Sequence, residues 1–320
     1  MEARNNVRGA VGAFFAMTCV GTLTAVSAAL RDYPVYGGQA IRYTMAALCL
    51  FLVDSWRFPH RRGAAVRDTP RVNGRDGVFL VALAAIGLAG FNVCIVVATR
   101  YTNPAAIGMM IATAPVVLAL AGPVQQGRRP SATVLVAALT VAIGAGVANG
   151  MGRYSLLGLL LSLGALAGEV GFSLLAVPLL PKLGPVRVSA WAAGLAALML
   201  LVTGLIVDGT GVVRVPTPDE ALGLAYLGLG VTTVAFVAWF DALGRLGAAQ
   251  ASLFAGVVPI SAVVTTAVLG LGTPRPADLA GAGLVATGVV LGMRSERVQP
   301  ECVQPECVQP ECVQPEQRAR

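Results

Sequence analysis

Seven stretches of the chain run for about twenty residues or more without a single charge: 9–30, 77–99, 101–127, 130–152, 188–207, 221–240 and 246–274. Each is long enough to cross a bilayer core of roughly 30 Å as a helix. Inside hydrocarbon the backbone must satisfy its own hydrogen bonds, which leaves helices or closed barrels, and apolar runs this continuous are not barrel strands. The composition agrees: 56% of the residues are hydrophobic and 12% are charged, with a mean hydropathy of +0.74, far from a water-soluble domain.

Three further segments, 35–53, 156–177 and 279–293, are as apolar, although Arg42 and Glu169 interrupt the first two. The expectation is an all-α integral membrane protein of ten transmembrane helices, near 9–30, 35–54, 77–99, 104–122, 131–149, 156–177, 188–207, 221–240, 247–270 and 277–293. No cleavable signal sequence is read, because the first apolar stretch is too long for one.

The net charge of +7 is a matter of topology rather than of nucleic-acid binding. Arg57, Arg61, Arg62, Arg67, Arg71 and Arg75 crowd one loop, and Arg128 and Arg129 a second. The positive-inside rule puts both loops in the cytoplasm and, with ten helices, both termini as well. Only Arg31, Arg100, Arg153, Arg214 and Arg275 then fall outside. The Arg-rich loop is also a surface that attracts anionic lipid.

Shifted by 144 residues, 98–116 falls over 242–260 and Pro115 meets Pro259. The same shift lays Leu135 over Leu279, Val141 over Val285 and Gly144 over Gly288. Two segments sharing one offset point to duplication, with residues 1–150 and 151–294 as five-helix repeats. An odd helix number makes the second copy enter from the opposite face, the inverted pair that secondary transporters use for alternating access. Pro115 and Pro259 are the expected helix bends. Residues 295–320 repeat Val-Gln-Pro-Glu-Cys and read as a disordered cytoplasmic tail.

The segments "YGGQAIRYTMAALCLFL", "ATRYTNPAAIGMMIATAPVVLAL" and "ALGRLGAAQASLFAGVVPISAVVTTAVLG" resemble the EamA type of the drug/metabolite transporter superfamily. The resemblance spans about residues 9–293. It implies ten helices in two inverted repeats, cytoplasmic termini, and a central cavity lined by helices one to four and six to nine. Helices five and ten would then be peripheral and free to form a homodimer. The chain departs from the Leu-Gly-Glu pattern that the family often carries after helices four and nine: "AGPVQQGRRPS" and "LGLGTPRPADL" stand there instead.

No phosphate-binding glycine loop is present, so energy would come from a gradient. Nor is there a His-rich, Ser/His/Asp or paired-carboxylate constellation for an enzyme. Cys19, Cys49 and Cys94 have no metal-ligand spacing, and no cofactor or metal is expected. Gly146 with Gly150 and Gly288 with Gly292 have the spacing that lets helices approach closely.

Glu169 is the one charge in 161–180 and would sit roughly 4 Å from the midplane. An ionised carboxylate there must be neutral, paired or facing water, so Glu169 is the candidate for proton coupling or a hydrogen-bonded strut between helices. Arg42, roughly 10 Å from the outer face, would either snorkel outward or anchor an anionic substrate group. Gln39, Tyr43, Thr22, Asn92, Trp191, Trp239 and Gln250, with Thr18 and Thr232, fall on the helices that the resemblance assigns to the cavity. Asp241 and Arg245 should form a helical pair, and Trp56 and Tyr154 should anchor the interfaces. The function expected is a proton-coupled exporter of small organic metabolites or drugs in the plasma membrane. The alternatives are an uncoupled facilitator and, more remotely, a membrane-embedded enzyme or lipid-handling protein.

Overall fold

A chain this apolar has little but its own carbonyls for its amides to bond, and every regular element among the described residues is helical. The computed structural model describes residues 2–26, 30, 32–57, 73–102, 104–149, 155–268, 270 and 275–295. The Arg-rich loop between 58 and 72, Tyr154 and the repeated tail from 296 lie outside them.

The helices are α1 (Glu2–Val26), α2 (Val35–Arg57), α3 (Gly74–Ala82), α4 (Phe91–Ala98), α5 (Pro104–Ile111), α6 (Ala114–Gln125), α7 (Ala132–Asn149), α8 (Leu156–Leu174), α9 (Leu180–Asp208), α10 (Pro218–Ala225), α11 (Phe236–Leu253), α12 (Val257–Val268) and α13 (Pro276–Ser295). A π-helical segment, Leu83–Gly90, joins α3 to α4, and another, Tyr226–Ala235, joins α10 to α11. Five continuous runs among the described residues are long and apolar enough to cross a membrane: Gly74–Ala98, Leu156–Leu174, Leu180–Val212, Pro218–Thr265 and Pro276–Met293. Ala114–Gln125 and Ala132–Val147 are shorter apolar helices.

Two of the runs turn within themselves. Gly247 has φ 75° and ψ 167°, and Gly184 has φ 74° and ψ 165°. An L side chain rarely adopts such angles, so glycine lets the chain kink sharply between two helical pieces without a loop. The expected ends are also too short. α1 extends back to Glu2, and the part of α9 that restarts after Gly184 takes in Arg187. Helix ends at a membrane face tolerate charge because water meets them there.

Several features recur 144 residues apart. The segment 83–90 corresponds to 227–234, within the second π segment. The break at Ala112–Thr113, between α5 and α6, falls within about two residues of the equivalent of the break at Phe254–Gly256, between α11 and α12. Pro115 is the second residue of α6 and Pro259 sits in the first turn of α12, so both proposed bends fall where a helix restarts. α7 and α13 pack along one another. A Cβ on Gly144 would lie 2.8 Å from the Gly281 carbonyl oxygen and 2.9 Å from the Val285 nitrogen. One on Gly288 would lie 2.8 Å from the Ala137 carbonyl oxygen and 3.0 Å from the Val141 nitrogen. Shifting either set of contacts by 144 gives the other. The close approach on α7 uses Gly144, Gly150 of the expected Gly146–Gly150 pair lies outside the described residues, and Gly288 and Gly292 both pack against Ala137 as their spacing suggested.

The largest core cluster joins α1, α2, α3, α9 and α11, with small residues where helices meet: Ala13, Ala16, Ala46, Ala192, Ala193, Ala196 and Ala242 are all buried. Lipid is as apolar as leucine, so close backbone approach rather than exclusion of water holds such helices together.

Candidate functional site

Arg42 lies on the face of α2 that meets the π segment Tyr226–Ala235. It is 6% exposed. The side chain turns into the bundle rather than toward the outer surface: Nε donates to Thr232 Oγ1, and Nη1 donates to Gln39 Oε1 at 3.3 Å. The guanidinium carbon stands 5.3 Å from the centre of the Tyr43 ring, a cation–π distance. Among the described residues no carboxylate pairs with Arg42.

Tyr43 is buried and its hydroxyl accepts from Asn92 Nδ2 at 3.2 Å. Asn92 also donates to the Leu88 carbonyl at 2.7 Å, inside the first π segment. Gln39, Arg42, Tyr43 and Asn92, chosen from the sequence, therefore form one connected polar group. An aromatic row leads away from it. The Tyr43 and Phe236 centroids are 6.2 Å apart, Phe236 and Phe172 5.1 Å, and Phe172 and Phe240 4.9 Å.

Phe172 brings the row to α8, where Glu169 sits one turn earlier. At 100° per residue Glu169 shares a face with Ala165, which is fully buried, and with Phe172. Glu169 itself is partly exposed, and its carboxylate makes no hydrogen bond or ion pair among the described residues. α8 packs on the π segment Leu83–Gly90, α4, α5 and α6.

The other sequence-chosen residues divide. Thr22 donates to the Cys19 carbonyl at 2.7 Å, so the single hydroxyl proton is committed and Tyr226 is the donor in their 2.8 Å contact. That bond ties α1 to the second π segment. Thr18 donates to the Phe14 carbonyl. Trp239 and Gln250 are buried, and Trp239 Nε1 and Gln250 Oε1 have no partner among the described residues. Trp191 stands apart: it is 48% exposed and meets the Phe51 ring edge-on at 5.2 Å, on an outward face of α9. Trp56 is exposed at the end of α2, and Asp241 pairs with Arg245 at 2.7 Å. Phe172, Phe236 and Tyr226 were not singled out from the sequence, because an aromatic in an apolar run carries no mark of its direction.

A cavity of about 1050 Å³ opens at the end of the bundle that holds Arg8, Lys182 and Arg187. Its lining reaches Leu50 and Thr233, the latter one residue from Thr232. Its rim is tied by ion pairs between elements: Arg187 Nε to Asp54 at 3.0 Å and Lys182 Nζ to Asp76 at 2.8 Å. A smaller space of about 320 Å³ at the opposite end is lined by Asp32, Tyr36, Val96, Arg100 and Asp208. Nearby, Arg214 pairs with Glu220, donates to the Asp32 carbonyl at 3.3 Å and lies over the Tyr33 ring, whose hydroxyl donates to the Arg214 carbonyl at 2.8 Å. Arg214 thereby links the segment after α9 to the segment before α2. Hydrogen bonding to Glu220 raises the hold of its guanidinium on its proton.

Among the described residues the arrangement offers a buried cation without a counter-charge, an aromatic row, and a carboxylate without a partner. Comparison with known proteins gives the setting. The profile described as the EamA-like transporter family matches residues 7–150 and again residues 156–294. The chain is 23% identical over 262 residues to "Uncharacterized transporter YetK" of Bacillus subtilis, covering 79% of this chain and 77% of the relative. It is 26% identical over 281 residues to a "Probable terminal-alkyne amino-acid exporter" of Streptantibioticus cattleyicolor, covering 86% and 89%. A crystal structure superposes with a TM-score of 0.71 at 18% identity, covering 90% of this chain and 98% of the other, and so shares its fold.

Proposed function

Because the chain belongs to the EamA-like transporter family and is therefore a multi-pass membrane transporter, we propose that it is a proton-coupled exporter of small organic metabolites. It works by alternating access in the plasma membrane. The observation that carries the coupling is Glu169, a carboxylate on an inward helix face with no partner among the described residues. A carboxylate held among helices without a counter-charge is costly when ionised, so it exchanges protons with whichever side the cavity opens to. Arg42, buried and without a carboxylate, carries the substrate's anionic group. The exporter name of the Streptantibioticus relative favours small organic cargo.

The frame is ten crossings in two inverted repeats, residues 1–150 and 151–294. The features that recur at an offset of 144 and the family match in each half support it. The crossings are α1, α2, α3 with α4, α5 with α6, α7, α8, α9, α10 with α11 up to Gly247, the rest of α11 with α12, and α13. Both termini are cytoplasmic, as the Arg-rich segments require.

Metabolite profiling of cells with and without the protein supplies the cargo, and proteoliposomes then test the coupling. Glu169→Gln keeps volume and hydrogen-bonding capacity while removing titration. It should insert normally and exchange substrate across equal pH, yet fail to accumulate it under an imposed pH gradient. Gradient-driven accumulation in the mutant would leave an uncoupled or differently coupled carrier.

A further inference from the structure

We propose that Thr232 is a positioning residue, fixed by the π-helical turn so that it holds Arg42 with one guanidinium edge free for the carboxylate of a substrate with an apolar body. The proposal rests on the reading of Arg42 as part of the substrate site.

The direction of the bonds carries it. Thr232 is fully buried, and its hydroxyl donates to the carbonyl of Leu227, five residues back, at 2.7 Å. Thr233 does the same to Gly228 at 2.9 Å. In a regular helix serine and threonine reach back three or four residues, so the five-residue reach belongs to the π register. With its proton spent on Leu227, Thr232 has only lone pairs to offer, and Arg42 Nε donates to them. Gln39 takes Nη1. Nη2 makes no hydrogen bond among the described residues. Two of the three nitrogens are thus held in place, and the third is left without an acceptor among the described residues.

What the third takes follows from its surroundings. A buried cation with no counter-charge bears a desolvation cost that an anion would offset. Charge-assisted bonds to a carboxylate oxygen are among the stronger ones a single N–H can make. A phosphate dianion asks for more donors than one edge supplies. The rings of Tyr43, Phe236 and Phe172 continue from the guanidinium as an apolar row, so the body behind the carboxylate is aliphatic or aromatic.

The test is binding to purified full-length protein, with hexanoate, hexanamide, hexylamine and inorganic phosphate as probes. Wild type should bind hexanoate, and bind it more tightly than the other three. Thr232→Val should weaken hexanoate roughly tenfold, as loss of one hydrogen bond to a charged group would, and leave hexanamide unchanged. Thr232→Ser should restore hexanoate binding, which a merely structural defect would not predict. Arg42→Gln should abolish the preference for hexanoate over hexanamide. If Arg42→Gln removes that preference and Thr232→Val does not weaken it, the positioning role falls and the Arg42 site stands. If Arg42→Gln keeps the preference, or wild type prefers hexylamine or phosphate or binds no hexanoate, the carboxylate assignment falls. Proton coupling is read separately from Glu169→Gln.

Discussion

Asp76 and Glu220, 144 residues apart, occupy the same place in their helices. Each is the third residue of its helix, and each carboxylate turns back to accept the backbone N–H three residues earlier, Asn73 at 2.8 Å and Thr217 at 2.8 Å. Each also holds one cation: Lys182 for Asp76 and Arg214 for Glu220. The first pair stands beside the larger cavity and the second near the smaller space at the opposite end.

If these are matching latches, each should govern its own end. Asp76→Asn should speed modification of a cysteine at Leu50, deep in the larger cavity, by a thiol reagent applied from the cytoplasmic side. Glu220→Gln should speed modification of a cysteine at Tyr36 from the outside. Equal acceleration at both ends by either substitution would mean general loosening rather than gating.

The reciprocal approach of α7 and α13 leaves no room for a side chain at Gly144 or Gly288. Gly288→Val should lower the melting temperature in detergent, with an overpacking cost of about 1–3 kcal/mol. Gly283→Val on the same helix, where an added Cβ meets nothing within 4 Å, should leave it unchanged. Similar melting of the two variants would contradict the tight contact.

The proposed topology places Arg67 in the cytoplasm and Val213 outside. In a cysteine-free background, a cysteine at 213 should react with an impermeant reagent in intact cells and one at 67 only after lysis. Reaction at 67 in intact cells would overturn the helix count or its orientation.

The two cavity-candidate tryptophans should now behave differently. Trp191→Leu, on an outward face against Phe51, should leave transport unchanged. Trp239→Phe removes the unpartnered Nε1 together with part of the ring and should raise the KM severalfold if that side chain meets cargo. A transport defect in Trp191→Leu with none in Trp239→Phe would reverse the assignment.

Much of the helical layout could be read from the chain, because a run such as 77–99 has no other stable state in lipid. The charged intruders were legible for the same reason: Arg42 and Glu169 stand out where charge is costly. Direction was less legible. Trp191 and Trp239 both sit in apolar helices, and since lipid and helix contacts are equally apolar, hydrophobic periodicity cannot say which one faces inward. The first π segment was invisible too, because Leu-Ala-Ala-Ile-Gly-Leu-Ala-Gly has no polar residue to mark a change of phase. Charge proved a poor boundary marker at Arg187, which the helix restarting after Gly184 takes in.

A π-helical segment has a practical effect on how its helix presents itself. The chain there winds by more residues per turn than in the flanking α-helix, so residues before Leu83 and after Gly90 no longer keep one common rhythm. A single crossing, Gly74–Ala98, therefore shows two angular faces, one shallow and one deep, as though two screws of different phase were joined end to end. Asn92 meets Tyr43 on the later phase, while Asp76 meets Lys182 on the earlier one. Accessibility scanned residue by residue along this crossing should trace two waves that do not superpose, and a one-residue deletion within 83–90 should bring them into step by rotating Asn92 away from Tyr43.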